Sequence, residues 1–308
     1  MAVYQIGQKA LVDLWQRVMD WVALVLNCQR LTRSRGRLDL RPREISEANM
    51  KPLDADGQKL FESVLLKWAE AYPSLLTHIP EGIPQRMYEL FCFMHGEWKD
   101  IKAGVSDDMS RHFNLIDRVD RVIELELVDE ANRTGKAPQC GAGCSFCCKS
   151  ERIEATKVEI CFILHEIENL PKAKAGRVVE QIKNSKATQH VSRMGRGSPC
   201  SMLIDDKCSV YAVRPISCRG YLSSSVQECK QRFDGTSTMV SGFAQARFVE
   251  LVVNELYEAD GVDLKFEINS ILKILFEDNA LRSKWMSGDT ELIGENFLKY
   301  FQEAHSII

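Results

Sequence analysis

The sequence has little net charge and no long hydrophobic run, and each absence excludes a class of function. Its 40 lysines and arginines almost balance its 43 aspartates and glutamates, which leaves a formal charge of -3. A chain so balanced has no overall electrostatic attraction to nucleic acid or to an anionic membrane surface. No stretch reaches the roughly 18 to 20 uncharged apolar residues that would cross a bilayer. We therefore expect no membrane-spanning segment, and the composition disfavours nucleic-acid binding.

An export signal and the common catalytic motifs are also missing. Residues 1–30 lack a positively charged start followed by an apolar core and a small-residue cleavage site, so we expect a cytoplasmic protein with reduced thiols. The sequence contains no G-x-S-x-G, P-loop or G-x-G-x-x-G motif, and five of its six histidines have no metal-binding or catalytic spacing. The sixth, His165, lies at i+4 from Cys161, and a packed cysteine beside a partly exposed histidine is the favoured interpretation of that pair. The motifs therefore assign no reaction. Apolar residues near the N-terminus recur instead at the spacing of an amphipathic helix: Leu11, Leu14, Trp15, Val18, Val22, Val25 and Leu26.

Apolar stripes at helical spacing continue along most of the chain, and they predict a mostly α-helical fold. One helix is predicted from Leu53 to Ala71 with Asp54 as its cap, and others begin after Pro84 and after Ser106. Another begins at Glu154 or Thr156 and ends before Pro171. The remaining predicted helices are Ala173–Lys186, Val240–Tyr257, Phe266–Phe276 and Leu292–Phe301.

The sequence changes character where glycine and cysteine become frequent. Residues 134–152 predict a loop, and Met202 to Tyr211 predict two short strands around the turn Asp205-Asp206. The 308 residues allow two lobes or one large domain with an insertion. We predict a helical bundle-like scaffold that carries a small irregular cysteine-rich metal-binding module with a short β-hairpin. The predicted regions are a helical N-terminal region (1–133), the cysteine-cluster module with intervening helices (134–235) and a helical C-terminal region packing on the rest (236–308).

Clustered cysteines are the strongest chemical feature of the sequence. Thiolate is a soft ligand that favours zinc, copper(I) and iron–sulfur clusters over magnesium or calcium. Eight sulfurs fit two tetrahedral zinc sites, or one four-cysteine iron–sulfur cluster with four thiols in a second role. Adjacent side chains usually point apart, so Cys147 and Cys148 are expected to serve different sites or to divide between binding and packing. The predicted metal ligands are Cys140, Cys144, Cys147, Cys148, Cys200, Cys208, Cys218 and Cys229.

Cations are expected beside these sulfurs, because four thiolates around a metal leave a surplus of negative charge. Arg214 and Arg219 bracket Cys218 in the sequence, so we predict that both donate to the thiolates. The other cysteines, Cys28 and Cys92 among them, lie in helical apolar patterns and are interpreted as small core residues. Spacing does not distinguish an iron–sulfur cluster from zinc.

Six arginines crowd the segment from Arg30 to Arg43, which also contains Gly36 and Pro42. An acidic partner could dock there, since guanidinium groups pair with phosphates and carboxylates. The segment lacks the aromatic residues that usually interleave nucleic-acid sites, and a solvated loop is the favoured interpretation. The helical regions are predicted to offer a surface to a protein partner.

Four elements of the sequence resemble the YkgJ-type CxxCxxCC cysteine-cluster family, whose members are described as zinc- or iron-chelating. The family pattern is a cysteine-rich loop ending in paired cysteines, a Pro-Cys-x-x-Leu and Cys-x-x-Tyr hairpin, and Arg-Pro-x-x-Cys-Arg. Here Cys140 and Cys144 have three intervening residues where the family has two. The resemblance covers about 90 of 308 residues and implies metal or iron–sulfur binding. The matching ranges are 140–148, 199–203, 208–211 and 214–219, with Cys229 as the late cysteine.

Three functions remain open from the sequence. The first is a metal-binding protein in which clustered cysteines hold an iron–sulfur cluster or zinc, with no assigned reaction. The second is a redox or protein-modifying, methyltransferase-like iron–sulfur enzyme. The third is a zinc-dependent nucleic-acid-binding module that uses the segment from Arg30 to Arg43.

Overall fold

The computed structural model describes most of the chain, and the described part confirms a mostly helical fold with small two-stranded sheets. The predicted N-terminal helix, the segment from Arg30 to Arg43 and the helix predicted at Leu292–Phe301 lie outside it. None of its helices is long and apolar enough to cross a membrane. The described residues are 53–71, 83–103, 119, 122–124, 126–128, 130–141, 143–185, 198–237, 240–259 and 265–286.

The described elements are mainly helices, and each strand is only two or three residues long. The helices are α1 (Ala55–Ala71), α2 (Ile83–Ala103), α3 (Phe146–Ser150), α4 (Lys157–Asn169), α5 (Lys172–Asn184), α6 (Ile216–Gly220), α7 (Val226–Phe233), α8 (Ala244–Ala259), α9 (Ile268–Glu277) and α10 (Asn279–Met286). The strands are β1 (Glu154–Thr156), β2 (Leu203–Ile204), β3 (Lys207–Cys208) and β4 (Lys265–Glu267).

The chain divides into two compact units, and each unit is built from two separate stretches of the sequence. The first comprises Met1–Gly135 and Phe243–Asp263, and the second comprises Lys136–Gly242 and Leu264–Ile308. Helix α8 therefore belongs to the same unit as α1 and α2, whereas α9 belongs to the unit that contains all eight clustered cysteines.

In the first unit, α8 packs against α1 and α2 around an aromatic core. Phe61 lies 5.0 Å from Phe91 between ring centroids, and Trp68 meets Phe248 edge-on at 6.5 Å. These rings are almost fully buried, as their helical spacing predicts. The predicted cap is also confirmed, because Asp54 Oδ1 accepts a hydrogen bond of 2.9 Å from the Gly57 backbone N–H.

Close packing at Gly57 leads to a first prediction. A Cβ at this position would lie 2.7 Å from His95 Cε1, and His95 is buried with its ring stacked on Phe91. Gly57→Ala should therefore destabilise the first unit by about 1 to 2 kcal/mol, because overpacking outweighs the better helix propensity of alanine. Chemical denaturation measures this change. Gly96→Ala is the matched control, since a Cβ there meets no atom within 4 Å, and it should stabilise by about 0.5 to 1 kcal/mol. Equal effects of the two substitutions would contradict the packing argument.

The second unit is organised by two short strands that each run directly into a helix. Strand β1 pairs antiparallel with β4, with Ala155 opposite Phe266. Thr156 caps α4, and the Glu267 side chain accepts from two N–H groups at the start of α9. The predicted helix from Phe266 to Phe276 is therefore wrong at its start, because the Glu267 cap fixes the first helical residue at Ile268. Helical spacing alone cannot locate that boundary.

The predicted hairpin is confirmed. Strands β2 and β3 pair antiparallel, with Leu203 opposite Cys208. Both turn residues have left-handed backbone angles, with φ of 49° at Asp205 and 58° at Asp206. Such a two-residue turn matches the twist of a hairpin, and aspartate tolerates it better than most residues do. The turn is held by ion pairs from Arg177 to Asp205 and from Lys149 to Asp206.

Candidate metal centre

Short helices carry four of the eight predicted ligands. Residues 134–152 were predicted to form a loop, but Cys147 and Cys148 lie on the one-turn helix α3. Cys218 lies on α6 and Cys229 on α7. A helix of five residues has no repeating apolar stripe, so periodicity could not predict α3 or α6.

The first group of sulfurs, which we call the loop set, comprises Cys140, Cys144 and Cys229. The Ser223 N–H donates to Cys140 Sγ over 3.2 Å, and this sulfur also lies 3.7 Å from the Ser223 carbonyl oxygen. The Gln139 N–H donates to that carbonyl over 2.9 Å. These bonds tie the cysteine loop to the segment that leads into α7. The Cys140 thiol consequently interacts electrostatically with the thiols of Cys144 and Cys229.

The second group, which we call the hairpin set, comprises Cys200, Cys208 and Cys218. Leu203 donates its N–H to the Cys200 carbonyl over 3.0 Å and pairs with Cys208 across the hairpin. The hairpin therefore holds Cys200 and Cys208 near each other. The Cys218 thiol interacts electrostatically with both.

Backbone N–H groups donate to sulfurs in the hairpin set. The N–H of Met202 hydrogen-bonds the Cys200 thiol, and the N–H of Val210 hydrogen-bonds the Cys208 thiol. In both cases the donor lies two residues after the cysteine. A hydrogen bond donated to sulfur favours the thiolate, which is the form that binds metal.

Cys147 and Cys148, which we call the vicinal pair, connect the two sets. The two thiols interact directly with each other, and their division between different sites stays a prediction. The Cys148 carbonyl accepts a hydrogen bond of 2.7 Å from the Cys200 N–H. Cys147 interacts electrostatically with Cys140 in the loop set and with Cys218 in the hairpin set.

Burial keeps most of these thiols neutral. It raises the pKa of Cys200 to about 12, while the hydrogen bond from Met202 acts in the opposite direction. For Cys147 the hydrogen bond with Cys148 raises the pKa first, and burial adds to it. A bound metal would have to displace the protons from such thiols. The positive charge of the metal favours this loss of protons. Burial likewise raises the pKa of Cys140, Cys208, Cys218 and Cys229.

Three buried donors beside the hairpin set have no hydrogen-bond partner among the described residues. They are Ser201 Oγ, Ser209 Oγ and Arg214 Nε. The Arg214 guanidinium carbon lies 4.0 Å from the centre of the Tyr211 ring, and its charge lowers the pKa of Cys208. Buried donors without acceptors are costly, and thiolate sulfurs would supply the missing acceptors. The donor set therefore fits a thiolate-bound metal or cluster.

Arg219 has a different environment from Arg214. It is 1% exposed, and it donates from Nε to the Arg214 carbonyl over 2.7 Å and from Nη2 to the Ala212 carbonyl over 2.6 Å. These bonds hold the turn that connects the hairpin to α6. The predicted donation from Arg219 to sulfur stays a prediction, whereas its bonds to the two carbonyls are observed.

A buried carboxylate fixes the position of α6. Glu159 is 2% exposed, and its Oε2 accepts from the N–H and the hydroxyl of Thr156 over 2.8 and 3.0 Å. Its Oε1 accepts from the Ile216 N–H over 2.6 Å, at the start of the helix that carries Cys218. The sequence prediction named Thr156 but missed Glu159, although Thr-x-x-Glu is a capping-box pattern. Burial raises the pKa of Glu159, and its backbone donors oppose that rise.

Two further polar groups that the sequence prediction missed lie beside the cysteines. Asn269 is buried on α9, where its Oδ1 accepts from the Ser201 N–H over 2.8 Å and its Nδ2 donates to the Pro199 carbonyl over 3.1 Å. Asn269 therefore fixes both residues that flank Cys200. No local pattern in the sequence indicates this role.

Near the loop set, Glu151 forms a second polar group with Arg232. Arg232 donates from Nε to Oε1 over 2.5 Å and from Nη2 to Oε2 over 3.2 Å, and the Tyr221 hydroxyl donates to Oε1 over 3.4 Å. The half-buried Tyr221 interacts electrostatically with Cys147 and Cys229, and partial burial raises its pKa. A cation and a phenol are thus held beside the sulfurs.

All ten cysteines of the described residues are free thiols. Within the same part of the chain, no three or more His, Cys, Asp or Glu side chains are arranged so that they could hold a metal ion. Fold and site together define a mostly helical protein with a module of reduced cysteines. No family model, curated protein or solved structure matches the chain.

Proposed function

We propose that this protein binds an iron–sulfur cluster or zinc through its clustered cysteines and belongs to the YkgJ-type cysteine-cluster family. The observation that carries the proposal is the presence of eight free thiols in one compact unit, several of which interact electrostatically with one another. Free thiols at this density in one unit are suited to soft metals.

Donors around the thiols support the same proposal. Met202 and Val210 direct backbone N–H groups at Cys200 and Cys208, and Arg214 supplies a positive charge beside Cys208. Both features favour thiolate over thiol. The bound group would supply either structural cross-linking of the module or, as an iron–sulfur cluster, electron transfer. Coordination would require the sulfurs to move into a metal-binding arrangement that the described residues do not already form.

Metal content tests the proposal. The full chain is purified without oxygen, and iron, acid-labile sulfide and zinc are measured per chain. We expect iron with sulfide and a brown colour, or zinc in a colourless preparation. Cys218→Ala should reduce the content about tenfold or more, because loss of a metal ligand exceeds the effect of losing a residue that merely supports one.

Two cysteines outside the cluster provide matched controls. Cys161 is buried in the same unit, with its sulfur 3.7 Å from the Trp285 carbonyl oxygen, and Cys92 is buried in the other unit. Alanine at either position should leave the metal content unchanged. A chain that holds neither metal after anaerobic purification, or one that loses as much metal in Cys161→Ala as in Cys218→Ala, would refute the proposal.

The other predictions from the sequence concern partners and reactions. A redox or protein-modifying reaction has no assigned residues, and partner binding by the helical regions stays a prediction. The segment from Arg30 to Arg43, on which nucleic-acid binding or an acidic partner would depend, lies outside the described residues. Cytoplasmic location likewise stays a prediction.

A further inference from the structure

We infer that the module contains two metal sites, one built on the loop set and one on the hairpin set, which meet at the vicinal pair. This inference rests on the proposed function. It assigns Cys140, Cys144 and Cys229 to one site and Cys200, Cys208 and Cys218 to the other. Each site then needs one further sulfur, and the vicinal pair supplies two.

The loop set has its own supporting contacts. Ser223 binds both the Cys140 sulfur and the Gln139 N–H, and Gln139 Oε1 accepts from the Val226 N–H over 3.1 Å at the start of α7. The cysteine loop and the helix that carries Cys229 are thereby fixed to each other. None of these bonds involves the hairpin.

The hairpin set depends on a different group of contacts. Asn269 fixes the residues on both sides of Cys200, and the β-ladder fixes Cys208 opposite Leu203. Glu159 fixes the start of α6 and so the position of Cys218. Two of the buried donors without partners, Ser201 Oγ and Ser209 Oγ, belong to residues next to Cys200 and Cys208 in the sequence. Because the two sets are held separately, either can keep its arrangement when the other is removed.

The vicinal pair is placed to serve both sites. Cys147 interacts electrostatically with members of both sets, and the Cys148 carbonyl binds the Cys200 N–H. Two ion pairs anchor the C-terminal end of α3: Lys149 binds Asp206 in the hairpin turn, and Glu151, which follows the last helical residue, binds Arg232 on α7. The one-turn helix thus connects the loop set to the hairpin set.

Metal stoichiometry in the full chain tests this inference. The metal-free protein is titrated without oxygen with cobalt(II) alone and with zinc(II) alone, and thiolate-to-cobalt absorbance is followed. We expect two ions per chain. One variant replaces the whole loop set with alanine and the other replaces the whole hairpin set, and each should retain one ion. Cys147→Ala and Cys148→Ala should each weaken one ion, and not the same one, whereas Cys161→Ala should weaken neither.

A second measurement covers variants that fail to fold. Zinc is removed from the wild-type chain with rising chelator concentration, and the alkylated cysteines are mapped by mass spectrometry. The loop set and the hairpin set should become reactive in separate steps. A single ion or cluster per wild-type chain, loss of all metal in either triple variant, or exposure of all eight thiols in one step would overturn the inference while leaving the proposed function intact. A wild-type chain that binds no metal would instead refute the proposed function.

Discussion

Replacing Glu159 with alanine should destabilise the second unit by about 3 kcal/mol. The substitution removes the acceptor of the buried N–H groups of Thr156 and Ile216, and each unsatisfied buried donor costs about 1 to 3 kcal/mol. The effect should be measured by urea denaturation. Because Ile216 begins the helix that carries Cys218, the variant should also bind metal more weakly. Glu168→Ala on the exposed face of the same helix is the control and should change stability by less than about 0.5 kcal/mol.

Glu159→Gln separates charge from hydrogen bonding. Glutamine retains one acceptor oxygen, so it can satisfy Ile216 or Thr156 but not both, and the loss should lie between those of wild type and alanine. The raised pKa of Glu159 also sets a pH dependence. Since the folded state binds this proton more tightly than the unfolded state does, wild-type stability relative to the glutamine variant should rise as the pH falls through the raised pKa, and level off below the ordinary value. A stability difference that does not change with pH would contradict the raised pKa of Glu159.

Replacing Arg219 with methionine should cost about 3 kcal/mol of stability. Methionine fills similar space but leaves the carbonyls of Ala212 and Arg214 without their donor, and hydrogen bonds from a charged group contribute about 1.5 to 3 kcal/mol each. Thermal and chemical unfolding measure this loss. Arg177→Met, which removes an exposed ion pair with Asp205, should cost less than about 1 kcal/mol.

Arg219→Lys tests whether Arg219 acts through its hydrogen bonds to two carbonyls or through its positive charge alone. Lysine retains the positive charge but cannot reproduce the forked geometry that reaches two carbonyls. If Arg219 acts through the carbonyls of Ala212 and Arg214, the lysine variant should lose stability nearly as methionine does. A lysine variant with wild-type stability and wild-type metal affinity would show that charge alone suffices, contrary to the observed bonds.

Local sequence patterns predicted those parts of the fold that local interactions determine. Asp54 caps α1, as predicted, and Thr156, one of the two predicted starts of the next helix, caps α4, because a cap involves residues only three positions apart. The hairpin was also predictable, since its two strands and the turn between them follow one another directly in the sequence. The pairing of β1 with β4 was not, because two three-residue strands separated by more than a hundred residues leave no periodic pattern.

The candidate site shows the same division. Eight thiols in one segment predict soft-metal chemistry, and they could be named from the sequence alone as candidate ligands. Arg214 was predicted beside the sulfurs, and its charge does act on Cys208. The bonds of Arg219 to two carbonyls and the hydrogen bond between Cys147 and Cys148 depend on helices too short to show a repeat.

By itself the sequence determined the helical class, the hairpin and the concentration of thiols in one segment, because periodicity, turn residues and cysteine spacing are properties of short stretches of chain. Only the tertiary structure decided which cysteines lie together. That grouping depends on buried polar contacts between distant residues, such as Glu159 with Ile216 and Asn269 with Ser201. Buried polar groups are nearly always hydrogen-bonded, and the fold as a whole determines which groups lie close enough to bond.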